Sequence, residues 1–431
     1  MLKILLVLLP LHAASAPSPA ESDRARESLT LGQVVTRSVK NDPMLLAAEQ
    51  DIIIAKQRVR EARFMNMPQL ALSGTLSRVN LEYPTILGPE LGERYLDPDV
   101  NRSFYTVRGY ALQPLYTGGR NKNTLRLAKT SHNQAKVNYD TVKTDVIRRA
   151  KTSFYALLYG REMRALTAGQ AALARELSGR IRKDPWEAIE AGLLLAEMGK
   201  RAEQAAHEEE MARSELVRVL NREPSYQPDI AGELSPLPAP DELQKSIVTA
   251  MEMRSELKSE LYKAQMDDIA VNMAMIRRYP NVYLGASYDV LGYRVNSLTD
   301  NSIRANNWAA SVAIHFPLSY DVWTQVLQRR AQQRQGDLKR VELQDRIRFE
   351  IVSAHKDLEF WTSETAKRGA ALAEAERSYE AAVGRSAPSM TALRALRSIA
   401  DFKSTYLESV YNQLLARIRL EWARGRDLDQ G

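Results

Sequence analysis

The chain has 431 residues, 44% of them hydrophobic and 26% charged, with a formal net charge of +7 and no cysteine. The lack of cysteine excludes disulfides, thiolate chemistry and a lipid-anchored N-terminal cysteine. Lys, Arg, Asp and Glu are interspersed rather than clustered, so the positive balance reads as solvated helix faces and not as a nucleic-acid surface.

In chain order, residues 1–16 read as an export signal. Lys3 supplies a basic start, Ile4 to Leu11 an apolar core too short to span a bilayer, and Ala14-Ser15-Ala16 a small-residue cleavage site. A short amphipathic helix is expected over 29–42 and a second from Met44 to Met65. A strand over 69–77 follows Pro68, with Leu70, Leu72 and Leu76 on one face. Residues 78–102 are rich in Pro, Gly and Asp and read as a loop. A second strand covers 103–112 and runs into the octet QPLYTGGR, Gln113 to Arg120. Pro114 lacks an amide donor, and Gly118-Gly119 permits backbone angles that other residues avoid. The octet is therefore expected to be a hinge into a long helix over 120–182, followed by another over 187–220.

A proline-rich linker occupies 224–240, and then the order returns. Helices over 241–251 and 254–278 precede strands at 281–290 and 307–316, a long helix at 322–383, a helix at 390–423 and a tail at 424–431. Pro68 matches Pro280, and Pro114 matches Pro317. The long helices match in phase: Val142, Val146, Ile147 and Lys151 answer Ile347, Ile351, Val352 and Lys356. The repeats are thus 17–223 and 241–423. In the second, Ser319-Tyr320-Asp321 stands where the first has its glycine pair.

A helix of about 60 residues is about 90 Å long at roughly 1.5 Å per residue, far beyond a globular domain. The spacing of Ile347, Ile351, Ala354, Leu358 and Trp361 is that of coiled-coil packing. The fold class is therefore mixed and mostly α, a long coiled-coil rod with four strands at one end. Those strands alternate. Leu70, Leu72, Leu76, Tyr105, Val107, Leu284, Tyr288, Trp308 and Val312 share one face, and Ser73, Thr75, Arg108, Ser287, Asp289, Asn307 and Ser311 the other. Either a transmembrane β-barrel wall or a sheet packed on helices gives that alternation. Four strands cannot close a barrel, and an open edge in lipid strands backbone polar groups, so strands in a membrane require oligomerisation.

LTLGQVVTRSVKNDP, PQLALSG, QPLYTGGR and the duplicated order together resemble the TolC-like outer-membrane efflux proteins, over about 29–423. The resemblance implies a homotrimer in which each chain gives four strands to one 12-stranded barrel and its helices to a hollow periplasmic cylinder. It implies a passive exit duct for tripartite efflux or type I secretion. The partners would be a periplasmic adaptor, an inner-membrane pump or ABC transporter, and outer-membrane lipid. The other class of reading is a soluble periplasmic coiled-coil scaffold. At the far helical tips the family carries a Gly, a small hydroxyl residue and Asp-Leu-Leu. Here Gly384, Arg385, Ser386, Pro388 and Ser389 occupy that place and the Asp is missing.

The five histidines are scattered, and His207 beside Glu208, Glu209 and Glu210 reads as a charged helix face rather than a metal site. No nucleophile-base pair, phosphate loop or supported carboxylate pair is found, so neither an enzyme nor a cofactor is expected. Arg108 and Asp289 are the candidate lumen-lining charges, and Pro114, Gly118, Gly119 and Pro317 the candidate hinge residues.

Overall fold

The computed structural model describes residues 28–78, 103–179, 184–236, 238, 242–292, 304–317, 320–383 and 389–425. The chain opens with β1 (Ser28–Leu29) and α1 (Leu31–Asn41). The Thr30 side chain accepts from the Gln33 amide, and the Gln33 side chain accepts from the Thr30 amide, a reciprocal cap that starts α1. Asp42 then caps α2 (Pro43–Phe64), accepting from the amides of Met44 and Leu45, while Pro43 sits in the first turn where no amide is needed.

The remaining elements are β2 (Gln69–Arg78), β3 (Ser103–Tyr116), α3 (Arg120–Ser178) and α4 (Pro185–Val219), then β4 (Asp229–Ile230). They continue as α5 (Leu243–Met253), α6 (Ser255–Ile276), β5 (Asn281–Gly292), β6 (Arg304–His315), α7 (Val322–Val383) and α8 (Ser389–Ala423). The two long helices, α3 with 59 residues and α7 with 62, carry the rod. Among the described residues no helix is long and apolar enough to cross a membrane.

Each long helix is flanked by two shorter ones laid along its length. α2 and α4 pack on α3, and α6 and α8 pack on α7. The coiled-coil positions fill the second seam: Ile347, Ile351, Ala354 and Leu358 are all buried, and Trp361 packs against them. In the first repeat Val146, Ala150 and Phe154 do the same. The repeats are joined by contacts of α3 with α6 and α8. Tyr159 stacks on Tyr411 at 4.6 Å between centroids, and the Trp422 indole donates to Asp145 at 2.8 Å.

The proline-rich stretch also contains a strand. β4 pairs in parallel with β1, and Leu29 and Ile230 enter the core against Phe154 and Leu158. Two residues are too few to show a periodicity, so this clasp between the chain's start and its middle is a tertiary feature.

The turns between α1 and α2 and between α5 and α6 solve one problem with opposite charges. Asp42 takes a hydrogen bond from Arg149 of α3 at 3.1 Å. At the second turn Arg254, buried, binds Glu350 of α7 at 2.5 Å and Glu256 at 2.9 Å, and lies over the Trp422 ring at 4.8 Å. Removing a guanidinium held this way leaves carboxylates without their counter-charge. Arg254→Ala is expected to cost about 3–5 kcal/mol, read as a drop in the denaturant midpoint at unchanged slope.

Candidate functional site

The candidate site is the place where the sheet hands over to the rod. The four long strands form one antiparallel sheet in the order β2-β3-β5-β6. Its register sorts residues into rows. Leu72, Gly109, Tyr288 and Trp308 lie opposite one another, and the next row is Ser73, Arg108, Asp289 and Asn307. One face is therefore apolar and the other polar, because side chains alternate along each strand. The apolar face is open: Leu72 is 79% and Trp308 78% exposed.

On the polar face Arg108 and Asp289 meet directly. Nε to Oδ1 is 2.6 Å and Nη2 to Oδ2 is 3.2 Å, a bidentate pair across β3 and β5. The two candidate lumen charges are thus neighbours that neutralise each other.

The octet divides differently from the sequence expectation. β3 does not stop at residue 112 but runs to Tyr116, with Pro114 inside it opposite Tyr283. A register shift between Pro114 and Tyr116 absorbs the missing donor, which is how a sheet tolerates proline. The turn itself falls at Gly118 and Gly119, with φ of 61° and 90°. A Cβ on Gly118 would lie 2.8 Å from Cβ of Tyr279 and 3.3 Å from Ile276, so the glycine also lets the first repeat's turn sit on the second's. Pro317 follows the end of β6, and helix α7 begins at Val322.

Two residues that sequence reasoning passed over hold this turn. The Gln113 side chain donates to the carbonyls of Asn66 at 3.0 Å and Pro114 at 2.9 Å. Asn121, buried, donates to the Met65 carbonyl at 3.0 Å and to the Asn66 side chain at 2.9 Å. Gln113 ties the exit of α2 to the end of β3, and Asn121 ties it to the entry of α3. Asn121 lies directly after the octet, which was its one signal in sequence; Gln113 opens the octet but carries no periodic mark.

Of the tip candidates, Gly384, Arg385, Ser386 and Pro388 lie outside the described residues, and Ser389 is the first residue of α8. Among the described residues no His, Asp and Glu cluster could hold a metal ion.

The family described as outer membrane efflux protein matches residues 34–183. No curated protein matches the chain by sequence. Among solved structures, the CmeC outer membrane channel of Campylobacter jejuni is similar with a TM-score of 0.77 at 15% identity, covering 97% of this chain and 94% of that one. The open state of the MtrE outer membrane channel of Neisseria gonorrhoeae gives 0.76 at 16% identity, covering 92% and 89%. The outer membrane protein VceC of Vibrio cholerae gives 0.75 at 15% identity, covering 92% and 96%. By sequence over residues 34–183 the chain matches the outer membrane efflux protein family, and by fold over nearly its whole length it matches outer membrane channels.

Proposed function

We propose that three copies of this chain form a passive duct across the outer membrane and the periplasm, the exit limb of an export system. The observation that carries the reading is an antiparallel sheet of four strands with one wide-open apolar face and two edges that are unpaired among the described residues, mounted on helices of about 90 Å. In water such a sheet would hold its large apolar side chains exposed, and in lipid it would leave edge amides and carbonyls unsatisfied. Both problems end when β6 of one copy pairs with β2 of the next and the ring closes. Twelve strands then enclose a lumen faced by the Ser73, Arg108, Asp289 and Asn307 row.

The helices support the same closure. α7 carries exposed Leu327, Leu338, Phe349 and Phe360 at intervals of eleven residues, and α2, at the opposite edge, exposes Leu46, Ile53 and Phe64. An eleven-residue period keeps a stripe on one face of a nearly straight helix. Those stripes stand where neighbouring copies would meet.

The chain is located, on this reading, in the outer membrane with its helices in the periplasm, and it has no catalytic step of its own. A periplasmic adaptor and an inner-membrane pump or ABC transporter supply cargo and energy. The tip segment Gly384, Arg385, Ser386, Pro388 and Ser389 is the proposed adaptor contact, lacking the family's aspartate. The test is electrical. Purified full-length protein in a planar bilayer should give steady unitary conductance in potassium chloride. A protein that inserts and never conducts, or that stays in the aqueous phase, would refute the duct.

A further inference from the structure

A cavity of about 780 Å³ opens at the junction of sheet and rod, between α3, α6 and α7. Among the described residues it is lined by Arg120, Arg277 and Arg329 and by no carboxylate. The three guanidiniums come from the start of α3, the end of α6 and the second turn of α7. All three are exposed, and among the described residues none forms an ion pair. Arg277 donates to the side chain of Gln325, whose amide in turn donates to Asp321 outside the cavity lining, and Arg329 donates to Gln332 at 2.9 Å. The floor is apolar, including Leu127 and Met273.

The cavity belongs to the polar face of the sheet. Asn281 and Tyr283 line it, and they stand eight and six residues before Asp289 on the uninterrupted strand β5, so they share its side. His315, opposite Asn281, lines it too. In the closed ring this is the lumen, just below the barrel.

The contrast with Arg108 decides what the cavity is for. On the polar face of the sheet Arg108 is cancelled by Asp289, whereas the three guanidiniums at the junction make no direct ion pair among the described residues. Guanidinium pairs sulfate, phosphate or carboxylate oxygens through two parallel donors, and an apolar floor takes a hydrocarbon body. We propose that this cavity is a binding site for amphipathic organic anions, a cargo contact at the mouth of the barrel. As a cargo contact it rests on the duct reading; as a binding site it does not.

The probe is octyl sulfate below its micellar concentration, titrated calorimetrically into full-length protein held in lipid discs, with empty discs subtracted. Octyltrimethylammonium is the cationic counterpart. Wild-type protein should bind the sulfate and not the ammonium, and binding should weaken as salt rises. The triple variant Arg120→Gln, Arg277→Gln, Arg329→Gln should lose about tenfold or more in affinity. Arg330→Gln, which changes an exposed neighbour that does not line the cavity, should bind like wild type. If the triple variant does not assemble, Arg329→Glu alone, on an exposed helix face, should show the same loss. Equal binding of the two amphiphiles, or unchanged sulfate binding in the arginine variants, overturns the proposal. Conducting protein that ignores octyl sulfate refutes the cavity and leaves the duct, whereas binding without conductance refutes the duct and leaves the cavity.

Discussion

Gly118→Ala should lower stability by about 2–5 kcal/mol, the sum of a left-handed backbone penalty and an overpacking penalty. The backbone there has φ of 61°, where a Cβ crowds its own carbonyl. The added methyl would also lie 2.8 Å from Cβ of Tyr279, an atom fixed to its backbone that cannot swing aside. Either the α3 entry or the α6 exit must move, and Asn121 holds the former to the end of α2. Thermal midpoints of the purified protein check this, together with the yield of assembled oligomer from membranes. Gly169→Ala is the control. It lies inside α3 with nothing within 4 Å of the new methyl, so it should be neutral or stabilising by up to about 1 kcal/mol. Equal midpoints for the two variants would mean that the turn is not held as tightly as its contacts indicate.

Leu72→Arg should stop membrane assembly, while Ser73→Arg, one residue on, should leave it intact. The two positions lie on opposite faces of β2 in adjacent rows of the sheet. Leu72 joins Tyr288 and Trp308 on the apolar face, and an arginine there costs about 2–4 kcal/mol per chain near the middle of a bilayer. Ser73 joins Arg108, Asp289 and Asn307, where water solvates a charge. The amount of each variant in outer-membrane and aqueous fractions reads the difference. If both variants assemble equally, the apolar face does not meet lipid.

The two faces were readable from the alternation alone, because a period of two is a local property of the chain. The long helices were readable for the same reason, and the Pro68 and Pro280 punctuation marked where strands begin. Pro114 misled because a proline removes one donor, and a single register shift repairs that loss within the strand. The turn belongs to Gly118 and Gly119, four and five positions beyond Pro114.

What stayed hidden was assembled from far apart in the chain. Gln113 and Asn121 act on residues 65 and 66, across the whole of β2 and β3. The clasp of β1 and β4 joins residues about 200 positions apart through two residue pairs. The cationic cavity needs Arg120, Arg277 and Arg329 together, each of which reads in sequence as one more charge on a solvated helix. The reversed ion pairs at Asp42 and Arg254 are of the same kind, since neither turn names its partner on the long helix.

Closure of the ring is the claim on which the duct stands, and edge-to-edge cross-linking tests it most directly. The chain has no cysteine, so introduced pairs have no native competitor. One cysteine is placed at Gly74 on the β2 edge and the other is scanned along β6 from Asn306 to Ala310. Oxidation in membranes should link one or two of these pairs into covalent rings of three chains. If every pair leaves only monomers, or joins chains into open ladders without a limit of three, the account is contradicted.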